Sequence, residues 1–477
     1  MPLARYRIHA LLFLVGLLGY GALAHDRLRK QSSDPHFVYQ ADAWLHGRAS
    51  IPLEYVVVPE AWVRGTPAMA PVPPRGDDWA KVETVRLADG RTVRGRRLSS
   101  RPLFVTTTGA QVPIADVTES LATTHYVSFP PFPAVVMLPS AMLSGTRGND
   151  VVPTVLWAAL ILPLAFGALR RVAAAGQSTR TVADDLWLTA ALGFGTVLFF
   201  ASVQGRVWFT AHVIGVALAC GYAWASIEAR RPIVAGLCLG LAAITRTPMA
   251  FMFPLFVLEA VRMHGGAARL RAEPRAAARD LLRPLLTFAA PVVVIAIAAM
   301  VYNAARFDQP TEFGHTYLSV RQQAQIEAHG LFSYGYLARN LAVAFTLLPE
   351  LPGKAPWIQI GGHGLALWVT TPVFLLLLWP RERPALHRSL WLTVALVALP
   401  TFFYQNSGWV QFGYRFSLDY TVFLILLLAV GGRPLGRVTR ALIVVGIVVN
   451  LFGAWSFARH GEYYRIGGNA YGTVVAH

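Results

Sequence analysis

The stretch IHALLFLVGLLGYGALA, residues 8–24, has no charged side chain and is preceded by Arg5 and Arg7. At about 1.5 Å per residue, these helical residues extend about 26 Å, enough to cross a thin bilayer. Similar apolar runs recur along all 477 residues: 55% of the chain is hydrophobic, only 14% is charged, and the mean hydropathy is +0.46. The sequence therefore predicts an all-α polytopic membrane protein. It excludes a soluble enzyme, a disordered tail, a disulfide scaffold and an outer-membrane barrel, whose strands alternate in polarity.

The same stretch also has the features of a secretory signal peptide. Arg5 and Arg7 form a basic start, and Ala22-Leu23-Ala24 matches an A-x-A cleavage pattern. Residues 8–24 are therefore either the first span or a cleaved signal. Under both interpretations, the residues that follow Ala24 face outward.

The remaining apolar runs and the basic loops together predict the topology. Spans are expected near residues 150–169, 186–203, 208–226, 233–246, 248–262, 284–302, 363–379, 389–404, 418–431 and 441–457. With these spans, the following basic residues all fall on one side of the membrane: Arg170, Arg171, Arg230, Arg231, Arg381, Arg383, Arg433, Arg437 and the arginines of loop 262–283. Since cytoplasmic loops are enriched in Lys and Arg, this agreement predicts about 11 transmembrane helices in one membrane domain, residues 1–477, with the amino end inside. Pro248 separates the two shortest spans, which are alternatively one bent element.

Two long loops are predicted on the outer side. The first, residues 25–149, contains two candidate juxtamembrane helices, residues 34–47 and 131–145; the apolar run of the second is too short to cross a bilayer. Between them, alternating residues around the turn pair Asp89-Gly90 predict a small β insertion, about residues 81–115. The second long loop is residues 303–362.

The charges indicate where polar chemistry takes place. The net charge of +17 fits basic cytoplasmic loops, so no nucleic-acid partner is inferred. No predicted span carries an acid at its centre, as ion-coupled transporters usually do. The acids next to the membrane fall on the outer side: Asp34, Asp42, Asp308, Glu312, Glu350 and Asp419. The histidines show no recognised metal spacing, so no metal or other cofactor is expected.

Asp34, in SSDPHFVYQADAWLHGR, allows two interpretations. It is either the N-cap of a surface helix that starts at Pro35 or a general base at the membrane surface. Three arginines at outer helix ends are candidates for binding a phosphate: Arg206, Arg246 and Arg415. The alternative is that each extends to lipid headgroups. Six further arginines within residues 86–101 either contact an anionic acceptor or form a solvated face.

Four stretches resemble the GT-C superfamily of integral-membrane glycosyltransferases, most closely bacterial members of the protein O-mannosyltransferase and aminoarabinose-transferase type. They are Asp34 soon after the first span, YVSFPPFPAVVMLP with Pro130 and Pro131, GLAAITRTP at residues 240–248, and residues 303–314 taken with GYRFSLDY at 413–420. The motifs are short, but their order covers the chain.

This resemblance implies a transferase that moves a sugar from a polyprenyl-phosphate donor to an extracytoplasmic hydroxyl or amine of a cell-envelope glycan, lipid or protein. Asp34 would be the catalytic base, and Arg246, Arg415 and Arg206 would hold the donor phosphate. Further candidates for sugar or acceptor contacts are His36, Tyr39, Gln40, Glu312 and His315. Many members have paired acids in the first loop, whereas the next acid here is Asp42, eight residues on.

The alternatives are a transporter of lipid or solute, a non-catalytic membrane scaffold, and a ligase that uses lipid diphosphate donors. Absent mid-membrane charges and repeats argue against transport. The expected location is a bacterial inner membrane, with membrane lipid around the spans and the active site facing outward. The sugar, the acceptor, the stereochemical course, metal dependence and the oligomeric state are not written in the sequence.

Overall fold

A computed structural model describes residues 2–52, 78–318, 320 and 322–465. Its helices are α1 (Pro2–Ala24), α2 (His36–Leu45), α3 (Phe132–Ser144), α4 (Val151–Ala174), α5 (Val182–Phe194), α6 (Leu198–Ser202), α7 (Val207–Ser226), α8 (Pro232–Ala243), α9 (Pro254–Met263), α10 (Gly266–Ala272), α11 (Pro274–Phe307), α12 (Gln323–His329), α13 (Leu337–Phe345), α14 (Leu367–Thr370), α15 (Ala385–Phe403), α16 (Leu418–Val430) and α17 (Arg437–Ser456). The chain is therefore mostly helical.

Within the described residues, six helices are long and apolar enough to cross a membrane: Arg7–Arg29, Val151–Ala174, Val207–Ala229, Pro274–Phe307, Ala385–Phe403 and Arg437–Ser456. The chain is thus a multi-pass membrane protein by the length and composition of its helices. The predicted count of about 11 spans is not confirmed, because several of the remaining apolar stretches are shorter or interrupted helices.

The interruptions have local causes. The predicted span 186–203 is divided into α5 and α6, with Gly195 as the C-cap of α5. The two short spans predicted around Pro248 are α8, a 3₁₀ segment Thr247–Met252 and α9, which begins at Pro254. Proline lacks the amide hydrogen that a continuing helix needs, so each proline starts a new helical segment here.

One end of the helical bundle gathers loops that the topology places on the same side. Arg171 forms an ion pair with Glu228, and the Glu228 amide donates to the Glu259 carboxylate at 2.8 Å. Arg262 binds the same Glu259 carboxylate at 2.7 Å. Loops that follow three separate predicted spans therefore meet, as the positions of their basic residues require.

Two short helices, α2 and α3, fall within the segments 34–47 and 131–145 that the sequence predicts as juxtamembrane helices. Phe37, Val38 and Ala41 of α2 pack against Ala134 and Met137 of α3 in one buried cluster. The helices have 10 and 13 residues, too short to cross a bilayer.

A five-stranded antiparallel sheet connects the two juxtamembrane helices. The strands are β1 (Trp79–Leu87), β2 (Thr92–Arg97), β3 (Leu103–Thr106), β4 (Gln111–Pro113) and β5 (Val117–Val127), in the order β4-β3-β2-β1-β5. The strands β1 and β2 pair around the Asp89-Gly90 turn, with Glu83 opposite Gly95 and Arg86 opposite Thr92. The small sheet is therefore present, and it extends to Val127, beyond the predicted end at residue 115.

The arginines of this sheet are ion-paired. Arg86 pairs with Glu119, Arg91 with Asp89, Arg94 with Asp308, Arg96 with Glu327 and Arg97 with Glu83, at distances of 2.7 to 3.1 Å. The pairs of Arg94 and Arg96 join the sheet to the second long loop. Arg86, Arg91 and Arg97 are largely exposed, as expected for the solvated-face alternative, and contact with an anionic acceptor stays a prediction.

The Glu327 carboxylate fastens the sheet to α12. It accepts hydrogen bonds from the amides and hydroxyls of Ser99 and Ser100, at 2.6 to 3.1 Å, and its side chain is only 3% exposed. Burial raises its pKa, but the hydrogen bonds from Ser100 and Ser99 outweigh burial and lower the pKa to about 2. The carboxylate therefore stays ionised in weak acid.

We expect Glu327→Ala to loosen this junction, because each hydrogen bond to a charged acceptor contributes about 1.5–3 kcal/mol. Amide exchange should accelerate at Ser99, Ser100 and in α12. Since the folded pKa is lowered, this contribution is complete above about pH 4.5 and disappears as the pH falls towards 2. Exchange measured at pH 5 and pH 7 should therefore give the same protection in the wild type. Unchanged exchange in Glu327→Ala would contradict the junction.

Candidate active site

A cavity of about 760 Å³ opens among the ends of several elements. Its walls come from the first long loop, the start of α7, residues 246–248, the second long loop and residues 400–416. The charged and titratable side chains on these walls are Asp34, Asp78, Arg206, His212, Arg246, Glu312, His315 and Arg415. Aromatic rings such as Trp208, Trp409 and Phe416 make up much of the remaining surface.

Asp34 faces this cavity and does not cap a helix. The helix α2 begins at His36 with Pro35 at the N-cap position, and no side chain there accepts a capping hydrogen bond. The Asp34 carboxylate instead accepts from Ser33 Oγ at 2.5 Å and lies 3.6 Å from Arg206 Nε. The N-cap interpretation is therefore wrong, and the carboxylate remains available at the cavity wall.

The backbone that carries Asp34 is fixed from both sides. Its carbonyl oxygen accepts from the Val207 amide at 3.0 Å, at the start of α7. On the other side, the buried Asp150 carboxylate accepts from the Ser32 amide at 2.8 Å and from Ser32 Oγ at 2.5 Å. Ser32 Oγ in turn accepts from the Asp34 amide at 3.2 Å. Burial raises the pKa of Asp150 to about 7, although the hydrogen bonds from Ser32 act to lower it.

Arg246 lines the cavity while forming a buried ion pair. Its Nε and Nη2 donate to the two oxygens of Asp419 at 3.0 and 2.8 Å. His212 Nδ1 lies 3.2 Å from the same carboxylate, which is only 1% exposed. The side-on pairing with Asp419 leaves Nη1 of the guanidinium for another acceptor. Asp419 therefore fixes the plane of Arg246.

Arg415 is the contrasting case, since it makes no ion pair with the described residues. It is 4% exposed, and its Nη1 donates to the Gly408 and Trp409 carbonyls and to Gln411 Oε1. Its Nε has no hydrogen-bond partner in the described part of the chain. The guanidinium carbon lies 5.6 Å from the Phe209 ring and 5.3 Å from the Phe416 ring. Burial, and next the neighbouring Arg246, lower the pKa of Arg415 to about 9, so it is cationic at neutral pH.

Two of the second-rank candidates line the cavity. The Glu312 carboxylate accepts from the Gly314 amide at 2.5 Å and from the Thr316 hydroxyl. Burial, with Arg246 and Arg306 nearby, lowers the pKa of His315 to about 4. This imidazole is therefore neutral at pH 7 and can exchange hydrogen bonds with a polar ligand.

The candidates on α2 do not reach the cavity. His36 stacks on Trp79 with ring centroids 4.3 Å apart. Tyr39 also stacks on Trp79, with ring centroids 6.2 Å apart. Gln40 is 1% exposed and donates to the Tyr302 hydroxyl at 3.1 Å. These three side chains are part of the packing between α2, the sheet and α11, so direct contacts to a sugar or acceptor are not supported.

Asp78 is a cavity residue that sequence reasoning missed. Its carboxylate accepts from Trp208 Nε1 at 2.7 Å, and its carbonyl oxygen accepts from Ser128 Oγ at 2.8 Å. Its φ of +66° is unusual for a residue with a side chain, and such backbone strain often occurs at functional sites. Asp42, the next acid after Asp34 along the chain, does not line the cavity, and its carboxylate lies 3.6 Å from His46 Nδ1. A second acid is therefore present, but from a later part of the first loop.

Among the residues that the structure describes, no group of three or more His, Cys, Asp or Glu side chains is placed to hold a metal ion.

No protein-family model and no curated protein matches the chain. Among solved structures, the apo Archaeoglobus fulgidus oligosaccharyltransferase overlaps 97% of this chain and 57% of its own, with 12% identity and a TM-score of 0.41. The Archaeoglobus fulgidus oligosaccharyltransferase AglB in complex with an inhibitory peptide and a dolichol-phosphate overlaps 97% and 56%, with 10% identity and a TM-score of 0.39. The chain thus spans slightly more than half the length of either structure. Its function has to be inferred from its own cavity.

Proposed function

We propose that this protein is a glycosyltransferase that moves a sugar from a polyprenyl-phosphate donor to an acceptor hydroxyl or amine. The observation that carries the proposal is one cavity holding an accessible carboxylate, Asp34, and a buried arginine without an ion-pair partner among the described residues, Arg415. A transferase of this kind needs a base for the acceptor and a fixed positive charge for the departing phosphate.

The reaction is a single displacement at the anomeric carbon. The acceptor oxygen or nitrogen attacks this carbon while Asp34 takes the proton, and the bond from the anomeric carbon to the phosphate oxygen breaks. The polyprenyl phosphate leaves with that electron pair. Arg415 and Nη1 of Arg246 stabilise the negative charge that develops on it. With one base and no nucleophile assigned, the expected course is inversion.

Arg206 takes a different part from the one the sequence predicts. Because its Nε lies 3.6 Å from the Asp34 carboxylate, we propose that it holds this carboxylate in place at the cavity wall. Asp78 and Glu312 are proposed to orient hydroxyls of the sugar or acceptor, since carboxylate oxygens accept hydrogen bonds from them. The aromatic walls offer flat apolar faces for a sugar ring.

The proposal places the protein in a bacterial inner membrane, with the cavity facing outward. The test is release of polyprenyl phosphate by purified protein in vesicles, supplied with a panel of polyprenyl-phosphate sugars and an extract of envelope acceptors. Release that requires both donor and acceptor supports the proposal. The proposal would be overturned if the protein bound none of the donors and released polyprenyl phosphate from none of them.

Asp150 is proposed as a positioning residue for Asp34, acting through Ser32. Replacing Asp150 by Asn exchanges an acceptor for a donor opposite Ser32 Oγ, which lets the Asp34 loop shift. A displacement on the order of 1 Å can lower a rate about 100-fold. We expect kcat to fall roughly 10- to 100-fold in this variant while the KM for the donor changes little.

The pH dependence of stability provides a second readout. Because the native pKa of Asp150 is raised to about 7, its ionisation lowers the free energy of unfolding as the pH rises from about 4 to 7. The Asn variant should lose that decline, which thermal unfolding at pH 5 and pH 8 measures. Asp185→Asn, which changes a buried carboxyl at the other end of the bundle, is the control and should leave kcat unaltered. Equal kcat in wild type and Asp150→Asn would contradict the positioning role.

A further inference from the structure

The second long loop contains a stretch with almost no charge. Residues 331–349, LFSYGYLARNLAVAFTLLP, include Arg339 as their single charged side chain. The sequence places this stretch in a polar outer loop, whereas its composition is that of a membrane segment. Its helix α13 has nine residues and extends about 13.5 Å, too short to cross a bilayer.

Both faces of this stretch are apolar. The buried face consists of Tyr336, Asn340, Val343, Ala344 and Leu347. The large exposed side chains of the stretch are Tyr334, Leu341, Phe345 and Leu348, which are 79%, 36%, 46% and 44% exposed; Thr346 is also exposed, and its hydroxyl donates to the Ala342 carbonyl. A surface helix in water carries polar residues on its outer face, and a helix that is apolar on both faces is surrounded by protein or lipid.

Arg339 is withdrawn from the exposed face. Its Nη2 donates to the Gln405 carbonyl at 2.6 Å, and its Nε donates to Asn340 Oδ1 at 3.2 Å. The guanidinium also lies over the Tyr336 ring, with its carbon 5.3 Å from the ring centroid. The one charge of the stretch is therefore satisfied by protein groups, which leaves the exposed face uncharged.

The exposed face continues the apolar surface of a membrane-spanning helix. Asn340 Nδ2 donates to the Phe402 and Tyr404 carbonyls at 3.0 and 2.7 Å, at the end of α15. The Phe345 and Phe402 rings lie 6.1 Å apart, and Leu399 on α15 is 51% exposed. The exposed apolar side chains of α13 therefore adjoin those of α15.

We propose that residues 331–349 lie in the membrane leaflet on the cavity side, with their exposed apolar face against lipid acyl chains. Leu331 and Phe332 line the cavity at the start of the same stretch. The start of the stretch therefore forms part of the cavity wall. A lipid-linked molecule that enters the cavity sideways passes along this wall. The membrane placement itself does not depend on glycosyl transfer.

Spin labels on single cysteines test this placement, after Cys220 and Cys238 are replaced by Ala. Leu341→Cys and Leu348→Cys are labelled in protein reconstituted into phosphatidylcholine–phosphatidylglycerol vesicles. Collision with oxygen, which concentrates in lipid, is compared with collision with a water-soluble nickel chelate. We expect oxygen to dominate at both positions.

Two labelled positions calibrate the result. Val294→Cys on α11 is a lipid-facing control, with 65% exposure of the valine, and Leu121→Cys on β5 is an exposed leucine of the sheet, at 40%. Positions 341 and 348 should match position 294 and differ from position 121. Dominant collision with the nickel chelate at both test positions, as at position 121, would overturn the proposal.

Discussion

Asp34→Asn is expected to lower sugar transfer by at least about 1000-fold, the upper part of the range that a positioned general base contributes. An amide has the same shape as a carboxylate but accepts no proton at neutral pH, so the acceptor is no longer activated. Donor binding should persist, because the proposed phosphate contacts are made by Arg415 and Arg246. Release of polyprenyl phosphate and donor binding, measured on the same preparation, separate the two effects.

Asp42→Asn is the matched control for this experiment. Asp42 lies eight residues further along, on α2, and its carboxylate contacts His46 outside the cavity. Its removal should leave transfer close to the wild-type rate. If Asp34→Asn transfers sugar as fast as the wild type, Asp34 is not the base. If only the Asp150 variant is fully active, the proposed chemistry stands and the positioning role alone is lost.

Arg415→Ala is expected to weaken binding of a polyprenyl phosphate about 10- to 150-fold, since a charge-assisted hydrogen bond contributes about 1.5–3 kcal/mol. Arg415→Lys should bind the polyprenyl phosphate little better than Arg415→Ala, because lysine lacks the planar guanidinium group that donates two parallel hydrogen bonds. Binding is measured as ligand-dependent thermal stabilisation, for which 100 times the dissociation constant adds about 2.7 kcal/mol in the wild type.

The stability of ligand-free protein should change in the opposite direction in this variant. A buried cation without an ion-pair partner among the described residues is costly to desolvate, so its removal should preserve or raise the melting temperature. Arg231→Ala is the control: this arginine stacks on Trp224 at the other end of the bundle and should leave binding unchanged. Undiminished binding of every lipid phosphate by Arg415→Ala would contradict the assignment.

The gathering of Asp34 and the three arginines in one cavity could be predicted from sequence for a simple reason. Apolar runs and basic loops determine which helix ends share a side of the membrane, and all four residues lie at ends on that side. Their partners could not be predicted in this way. The pairing of Arg246 with Asp419 joins residues 173 positions apart, and no local pattern encodes it.

The errors of sequence reasoning have similar causes. The N-cap interpretation of Asp34 failed because Ser33 and Arg206 bind its carboxylate, and α2 starts one residue later than expected. His36 and Gln40 were candidates because they are close to Asp34 in sequence. On a helix, neighbouring residues point in different directions, and the side chains of His36 and Gln40 are both buried in packed protein. Asp78 lacks any local motif.

The predicted number of spans depends on helices being continuous. Runs such as 186–203 are apolar enough to cross a membrane, but glycine and proline divide several of them into shorter helices. Composition indicates that a segment prefers lipid and says little about whether it is straight. The β insertion can be predicted more directly, because the Asp89-Gly90 pair is typical of a hairpin turn.

The ion pair between Arg246 and Asp419 has a consequence for turnover. A transferase that held its spent lipid phosphate with several uncompensated cations would be inhibited by its own product. Asp419 neutralises much of the charge of Arg246, so the two arginines together attract a phosphate less strongly than two free guanidinium groups would. Removing that carboxylate should therefore lengthen the time for which the product stays bound, and slow each cycle after the chemical step.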